Sequence, residues 1–392
     1  MRDVFILSAT RTAIGKYGGS LREFSAPDLG VEAARAALAR AAVAPQEVEE
    51  VIFGHARQAG NGPNPARQIA VRTGIPVEVP AYTINKACAS GMKAIVLGYQ
   101  EIVLGNANVV LVGGTESMSR VPYFLDSARW GARLGHRELT DGMYQDGFLC
   151  PLSKMIMGET AEVLAGQYKI TREEQDAYAL SSQQRARRAM ESGRFADEMV
   201  AVTIKEKKGE RSLTVDEHPR FETTAASLAK LPPVFSKSGS ITAGNSSGIT
   251  DGAAALVLAS EERAKQPGAR PLARIVDNAA AGVEPRVMGM GPVPAVKKLL
   301  KKTGRRIEDF DLIELNEAFA AQVLACDREL HFDPGRLNVN GGAIALGHPI
   351  GATGARITVT LVHEMQKRGA GRGLATLCVS GGLGMALELE SV

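Results

Sequence analysis

The same order of helix, loop and buried strand occurs twice in this chain, and that repetition constrains its fold more than any other feature. Apolar residues recur at helical spacing over residues 27–40, and a loop and a strand follow over 48–54. The order returns much later, with a helical pattern over 294–302 and a loop and strand over 307–315. A repeat of this kind predicts two structurally related halves.

A second pair of matching segments supports the duplication. Residues 109–114 and 374–382 are apolar runs that each end in a glycine turn, a pattern typical of core strands. A helical pattern lies upstream of each run, one following Cys88 and the other following Gly351. The economical prediction is two related α/β domains packed together.

Changes in composition along the chain divide it into three parts. From 119 to 247 the sequence is charged, helix-favouring and rich in loops, and core-strand character resumes at 251–259. We therefore predict an N-terminal half over 1–118 plus 248–270, an inserted loop domain over 119–247 and a C-terminal half over 271–392.

Composition excludes several classes of protein. The chain has 392 residues, 45% of them hydrophobic, which suffices for more than one core. The 46 Lys and Arg against 43 Asp and Glu leave a net charge of +3, too small by itself to indicate a nucleic-acid or membrane partner. No stretch approaches the roughly 20 apolar residues that span a bilayer. The apolar stretch over 4–7 is too short for a signal peptide, so we expect a cytoplasmic location.

The four cysteines are far apart in the sequence and form no CxxC pair. Their spacing indicates neither a disulfide framework nor a zinc site, and a reducing cytosol is the natural setting for them. They are Cys88, Cys150, Cys326 and Cys378.

Cys88 lies between a candidate strand and a helix, within residues 85–92. At a helix N-terminus, unpaired amide groups and the helix dipole stabilise a thiolate and can bind an oxyanion. We therefore expect a nucleophile with a lowered pKa at Cys88. A single cysteine is more often a small buried hydrophobe, so the rest of the sequence must decide between these interpretations.

Three further polar or reactive groups lie at equivalent points of the predicted fold. His348 lies within a glycine-punctuated loop over 338–356, where a ligand and a second catalytic group can approach closely. Cys378 stands at the end of an apolar strand, and Asn316 stands at the end of another. Open α/β folds usually build their sites at the carboxyl ends of strands.

Four motifs thus occur together and in order. They are Asn-Lys-x-Cys-x-Ser-Gly over 85–91, Asn-Glu-Ala-Phe over 316–319, Gly-Gly-Ala-Ile-Ala-Leu-Gly-His-Pro over 341–349, and Cys378 before glycines. Through them the sequence resembles the thiolase family, most closely its biosynthetic type, and the similarity runs over essentially the whole chain. The resemblance implies duplicated α/β domains packed as a layered αβαβα sandwich, with a long loop and helical insertion in the first half.

The resemblance also implies a role for each motif residue. Cys88 would accept the acyl group, and His348 would activate it and help to hold the thioester oxygen. Cys378 would shuttle the α-proton, and Asn316 would position a water. Backbone N–H groups of Cys88 and Ser380 would form an oxyanion site. The chemistry needs such a set, because joining two acyl groups requires a carrier, a base and donors for two oxyanions.

The implied reaction is the reversible Claisen condensation of two acetyl-CoA molecules to acetoacetyl-CoA and coenzyme A, or the thiolytic cleavage of a 3-ketoacyl-CoA. It would be a ping-pong reaction through an acyl-Cys88 intermediate, with acetyl-CoA, acyl-CoA and free coenzyme A as partners. The family implies neither a metal nor another cofactor. It implies a homotetramer built as a dimer of dimers.

Further residues match family positions that contact the substrate. Arginine suits phosphate or adenine, and serine suits amide contacts, although loop capping explains the two serines equally well. A methionine is usually only core filling. The implied residues are Arg220, Ser227 and Ser247 for coenzyme A, and Met157, Met288, Ala318 and Phe319 for the acyl pocket.

Two positions depart from the family pattern. Biosynthetic members typically carry a histidine at the position of Ile156, so the polar group that favours short acetoacetyl substrates is missing. Ser380 replaces a glycine, but an oxyanion site that uses the backbone amide survives if the backbone there tolerates a side chain.

Three alternatives remain open at this point. A degradative 3-ketoacyl-CoA thiolase of fatty acid β-oxidation, with medium or long chain preference, would use the same steps in the cleavage direction. Condensing ketoacyl synthases normally pair their cysteine with two histidines, whereas Cys378 occupies the place of one here. A non-catalytic acyl-binding module would not need all four motifs.

Overall fold

The structure, a computed structural model, describes residues 2–207 and 209–392. Strands and helices follow one another along most of the chain. The strands are β1 (Val4–Thr12), β2 (Gly15–Lys16), β3 (Glu50–Gly54), β4 (Ala81–Ile84), β5 (Val109–Ser117), β6 (Tyr123–Phe124), β7 (Thr140–Asp141), β8 (Met199–Val200), β9 (Val202–Glu206), β10 (Gly209–Leu213), β11 (Thr250–Ser260), β12 (Ala273–Gly282), β13 (Leu312–Leu315), β14 (Arg372–Val379) and β15 (Leu383–Glu390).

The helices include both of those that the repeated pattern predicts, as α1 and α8, and the paired strand predictions are confirmed as β3, β13, β5 and β14. The helices are α1 (Ala26–Ala41), α2 (Pro65–Arg72), α3 (Ser90–Leu104), α4 (Met157–Gln167), α5 (Arg172–Glu191), α6 (Ala225–Ala229), α7 (Glu261–Ala264), α8 (Pro292–Thr303), α9 (Ala320–Leu330), α10 (Ala343–Leu346) and α11 (Ile350–Arg368).

One mixed sheet runs through the molecule in the order β13-β14-β15-β12-β1-β11-β5-β3-β4. β1 pairs antiparallel with β11 on one side and with β12 on the other. β3 pairs parallel with β4 and β5, and β13 pairs parallel with β14. The strands of the N-terminal half and those of the C-terminal half therefore join where β1 pairs with β12.

Helices α3 and α11 pack against the central sheet, and α11 lies between strands of the first half of the chain and strands of the second half. α11 contacts β5 and β11 on one side and β13 and β14 on the other, and α3 packs on β3 and β5. Alternate residues of β5 face opposite layers: Val110 and Val112 join the core around α3 and α11, whereas Val109 and Leu111 join the core around α1. α8 covers β12, β14 and β15. The expected α/β fold, a layered αβαβα sandwich, is confirmed.

The segment over 119–247 contains α4, α5, α6 and the β9–β10 hairpin. α4 packs on α9, and α5 packs on α9 and α10. The segment thus packs on helices of the C-terminal half of the chain, next to the loops that precede α9 and α11. Within residues 2–207 and 209–392, no helix is both long and apolar enough to cross a membrane.

Glycines allow the first turns of α3 and α11 to touch. A Cβ on Gly91 would lie 2.8 Å from the backbone N of Ala355, and a Cβ on Gly354 would lie 2.5 Å from the backbone N of Met92. On Gly114, in β5 beneath both helices, a Cβ would lie 2.4 Å from a backbone oxygen of α11. Larger residues would push the two helices apart, because backbone atoms leave no room for a methyl group.

Replacing Gly354 with Ala tests this packing. The added methyl group would meet Met92, so we expect the free energy of unfolding to fall by about 1–3 kcal/mol, the usual cost of overpacking a core. Thermal unfolding followed by circular dichroism measures the change. The control is Gly166→Ala in α4, where an added Cβ has nothing within 4 Å. Equal melting temperatures for the two variants would show that the helix contact is not tight.

Candidate active site

A sharp turn presents Cys88 directly before α3. Ala87 has a left-handed φ of 43°, which is uncommon for a residue with a side chain. The Ser90 hydroxyl accepts a hydrogen bond from the Lys86 backbone N–H at 2.8 Å and donates one to the Ala87 oxygen at 2.7 Å. The Asn85 side chain accepts from the Ala87 N–H at 2.9 Å. These bonds hold a strained turn with Cys88 at its tip, and the expected position at a helix start is confirmed.

The expected lowering of the Cys88 pKa is wrong. Burial raises the pKa of the Cys88 thiol, and the Ser380 backbone N–H and the positive charge of Arg57 oppose that rise without cancelling it. The sequence indicated the helix start, but it could not weigh that effect against loss of solvent. Cys88 therefore rests as a thiol and needs a base to become a nucleophile.

His348 is a buried neutral imidazole with one nitrogen available to the cavity. Its Nδ1 lies 2.6 Å from the Thr353 hydroxyl, which donates its own proton to the Pro349 oxygen at 3.0 Å. With the hydroxyl donating to Pro349, it accepts from Nδ1–H, and in this tautomer Nε2 is the proton acceptor. Burial, helped by the charges of Arg356 and Arg57, lowers the pKa of His348 to about 3.

Cys378 is the second-last residue of β14. It is fully buried, and burial together with the neighbouring Cys88 sulfur raises its pKa well above the ordinary value. It packs among Met288, Ala318 and Phe319. At rest this second group is also a thiol, which can act as an acid.

Asn316 is buried and is not among the residues that line the cavity. Its backbone N–H donates to the Thr376 oxygen at 3.0 Å, which fixes it at the end of β13. Its side-chain oxygen and nitrogen are buried and have no hydrogen-bond partner among the described residues. A buried carboxamide in that state is suited to holding a water.

One cavity of about 520 Å³ brings most of the predicted residues together. The predicted catalytic and substrate-binding residues on its wall are Cys88, His348, Cys378, Ser380, Arg220, Ser247, Met157, Met288, Ala318 and Phe319, and Ile156 is there too. Ser380 has no left-handed backbone, whereas Gly381 and Gly382 have φ of 87° and 89°. The serine at 380 is therefore accommodated without strain.

The three residues predicted to bind coenzyme A have different surroundings. Arg220 is exposed at the cavity wall, and the Ser247 backbone N–H donates to the Ala318 oxygen at 3.0 Å. Ser227 does not line the cavity; its hydroxyl donates to the Thr224 oxygen at 2.8 Å and accepts from the Thr224 N–H at 2.9 Å. Ser227 thus completes the capping box of α6, whose N-cap is Thr224, and a contact with coenzyme A stays a prediction for it.

Glu116, at the end of β5, joins the loops beneath the cavity. It accepts from the backbone N–H groups of Ala56, Arg57 and Gly351 at 3.2, 3.1 and 2.7 Å, and His55 Nδ1 lies 2.9 Å from it. Burial alone would raise the pKa of Glu116, but these partners outweigh it and lower that pKa. Glu116 therefore stays charged and ties the start of α11 to the loop after β3.

Several cavity residues were not predicted from the sequence: Arg57, Phe148, His218 and Phe235. Arg57 follows the end of β3, and open α/β folds often build their sites at the ends of strands. Its position in the sequence could therefore have identified it as a candidate site residue. Nothing in the sequence near the other three distinguishes them from loop residues. Among residues 2–207 and 209–392, no cluster of three or more His, Cys, Asp or Glu could hold a metal ion.

Known proteins resemble this chain in both sequence and structure. Models of the thiolase N-terminal domain and of the thiolase C-terminal domain match residues 4–262 and 269–391. An acetyl-CoA acetyltransferase of Pseudomonas aeruginosa is 53% identical over 390 residues, 99% of each chain. The crystal structure of the Bacillus anthracis acetyl-CoA acetyltransferase has a TM-score of 0.98 at 50% identity, covering 100% of this chain and 99% of that one.

A second solved structure, human mitochondrial 3-ketoacyl-CoA thiolase in complex with CoA, has a TM-score of 0.96 at 47% identity and covers 100% of this chain and 98% of that one. The two family models together cover nearly the whole chain, and each matches one of the two halves that the repeated sequence pattern predicts. The chain belongs to the thiolase family.

Proposed function

We propose that the chain condenses two acetyl-CoA molecules to acetoacetyl-CoA and coenzyme A, and cleaves 3-ketoacyl-CoA thioesters in the reverse direction. One observation carries the proposal: two thiols from different halves of the chain, Cys88 and Cys378, share a cavity with the neutral imidazole of His348. Acetyl-CoA acetyltransferases among the relatives, and a neighbour solved with CoA, support this substrate class.

In the first half-reaction, Cys88 takes the acyl group from the thioester. His348 Nε2 accepts the Cys88 proton as the sulfur attacks, because the neutral thiol is a poor nucleophile. The carbonyl oxygen becomes an oxyanion, and the Ser380 backbone N–H that already faces the Cys88 sulfur is suited to stabilise such charge. The departing coenzyme A sulfur takes the proton of Cys378, which leaves Cys378 as a thiolate.

In the second half-reaction, the new carbon-carbon bond forms. The Cys378 thiolate removes a proton from the methyl group of a second acetyl-CoA, and the carbanion attacks the acetyl group on Cys88. The carbon-sulfur bond to Cys88 breaks, and its sulfur takes the proton held by His348. A water bound by the unpaired Asn316 side chain would supply a further donor to the thioester oxygen. Every group returns to its resting state.

A degradative preference is the second candidate, and Ile156 favours it. An apolar side chain lines the cavity at this position beside Met157, so the wall accepts hydrocarbon more readily than a polar wall would. Thiolysis follows the same steps in reverse. Longer 3-ketoacyl chains of fatty acid metabolism are therefore part of the proposed substrate range.

Binding of coenzyme A is proposed for Arg220, Ser227 and Ser247. Arg220 supplies an exposed positive charge where the cavity opens, which suits a phosphate. The carbon-carbon bond chemistry needs only acid, base and oxyanion groups, so we propose that it proceeds without a metal or another cofactor. A cytoplasmic homotetramer, a dimer of dimers, completes the proposal on the strength of the family resemblance.

Replacing Cys88 with Ala removes only the acyl acceptor. We expect both condensation and thiolysis to be lost while binding of coenzyme A persists. Mass spectrometry of the wild type, quenched in acid after incubation with acetyl-CoA, should find one acetyl group on the peptide that contains Cys88. The control is Cys326→Ala, which removes a buried thiol outside the cavity and should leave acetylation in place. Acetylation that maps to Cys150 or Cys378 would contradict the assignment.

Replacing Cys378 with Ala separates the two half-reactions. Acetylation of Cys88 should persist at a lower rate, because the nucleophile, His348 and an oxyanion site remain and water can protonate the departing coenzyme A sulfur in place of Cys378. Exchange of deuterium into the acetyl methyl group should be lost, and condensation should fall by about 100-fold to 10,000-fold, the usual effect of removing such a base. Both quantities are measured on the same samples. If the variant keeps exchange and loses acetylation, the roles of the two thiols are reversed.

The acyl range is tested by comparing catalytic efficiency on four-carbon and six-to-eight-carbon 3-ketoacyl-CoA substrates. We expect activity beyond acetoacetyl-CoA, since Ile156 leaves an apolar wall. The matched variant Ile156→His should lower the ratio of long-chain to short-chain efficiency by about 10-fold, a typical effect of one altered pocket contact. A wild type restricted to acetoacetyl-CoA would mean that other walls limit the chain.

A further inference from the structure

Arg57 is a buried cation that the reaction described above does not use. Its side chain is only 6% exposed, and its Cζ lies 5.9 Å from the centre of the Phe148 ring. Gly147 makes room for the guanidinium: a Cβ there would lie 2.7 Å from both Nε and Nη2. The surroundings thus hold the side chain in one place.

The guanidinium has no protein partner among the described residues. No side-chain nitrogen of Arg57 donates a hydrogen bond, no carboxylate lies within 4.0 Å of it, and Nε is fully buried without a partner. The nearby Glu116 is occupied by His55 and by backbone N–H groups. Of the three side-chain nitrogens only Nε is fully buried, so Nη1 and Nη2 are accessible from the cavity and can donate to an anion there.

Arg57 lies where two cavities meet. It lines the cavity of Cys88 and also a neighbouring cavity of about 570 Å³, and both share Gly147, Met157 and Ser380. Amide side chains line the second space, namely Gln58, Asn85 and Gln145, beside the exposed carboxylate of Asp146. Arg57 therefore lies in the same cavity as the Cys88 sulfur, where that cavity joins the second space, so a chain attached to Cys88 shares its surroundings with this cation.

We propose that Arg57 binds a carboxylate at the far end of the acyl chain, so that the substrates include 3-ketoacyl-CoA thioesters whose acyl group ends in a carboxylate. The inference rests on the proposed thiolase activity and specifies its substrate class. A guanidinium matches a carboxylate through two parallel hydrogen bonds, and these are strongest where water is excluded.

The chemical step is the same thiolysis, with the carboxylate end unchanged. Cys88 gives its proton to His348 and attacks C3, and the bond between C2 and C3 breaks. C2 takes the proton of Cys378 and leaves as acetyl-CoA, while the carboxylated acyl group stays on Cys88. Coenzyme A gives its thiol proton to Cys378 and removes the acyl group, and the Cys88 sulfur recovers its proton from His348.

Two matched substrates test the proposal: 3-ketoadipyl-CoA, which ends in a carboxylate, and 3-ketohexanoyl-CoA, which has the same chain length and no charge. The measured quantity is the ratio of their kcat/KM values in the wild type, Arg57→Leu, Arg57→Gln and Arg57→Lys. We expect the neutral variants to lower the ratio by about 10-fold to 100-fold, the effect of losing a charged hydrogen-bonded pair. The lysine variant, which keeps the charge but not the paired donors, should give an intermediate ratio.

The control variant is Lys265→Leu, which removes a positive charge from an exposed position and should leave the ratio unchanged. Intact mass after incubation with succinyl-CoA or butyryl-CoA gives a second reading, since Arg57→Gln should slow acylation of Cys88 by succinyl-CoA more than by butyryl-CoA. Melting temperatures establish that each variant is folded.

Four results would overturn the inference. An unchanged ratio in every folded variant, or a wild type that cleaves only the uncharged substrate, would mean that Arg57 does not select a carboxylate. An equal loss for both substrates, with the pH-rate profile moved to higher pH, would mean that the Arg57 charge acts on the Cys88 thiol instead. A wild type that also fails to cleave acetoacetyl-CoA would refute the proposed function itself.

Discussion

The contact between the first turns of α3 and α11 is the constraint on which the site depends. One helix begins after the Cys88 turn and the other begins after His348, and they touch through Gly91 and Gly354 with no side chain between them. The nucleophile and its base come from different halves of a duplicated chain, so neither half holds a complete site. Their separation is set by backbone packing, which is stiffer than side-chain packing.

Burial then determines the charge of each reacting group. Loss of solvent raises the pKa of both thiols and lowers that of His348, so the resting site contains neutral groups that exchange protons only when a substrate arrives. Two charged groups stand beside these neutral ones. Glu116 is held beneath the loops by backbone donors, and Arg57 faces the cavity without a partner.

The sequence predicted the features that depend on local pattern. Helices α1 and α8 followed from apolar spacing, and the position of Cys88 followed from a strand candidate before a helix. The direction of the Cys88 pKa shift did not follow, because it depends on how completely distant segments exclude water. Arg57 was missed for a related reason: a charged loop residue is usually solvated, and only the fold buries it against Phe148. Ser227 matched a family position, yet its hydroxyl bonds to the backbone of Thr224, the N-cap of α6.

The place of β1 in the sheet bears on how the chain folds as it is synthesised. Thr10 pairs with Ala255, 245 positions later, and β12, which borders β1 on its other side, lies later still; the short β8 joins only the last residues of β1. At typical translation rates, roughly 10 to 50 s separate the first strand from its partners. During that interval β1 lacks both long-range neighbours, and unpaired strand edges are prone to associate with other chains. The arrangement that joins the two halves in the finished molecule therefore makes the nascent N-terminal region dependent on protection from premature pairing.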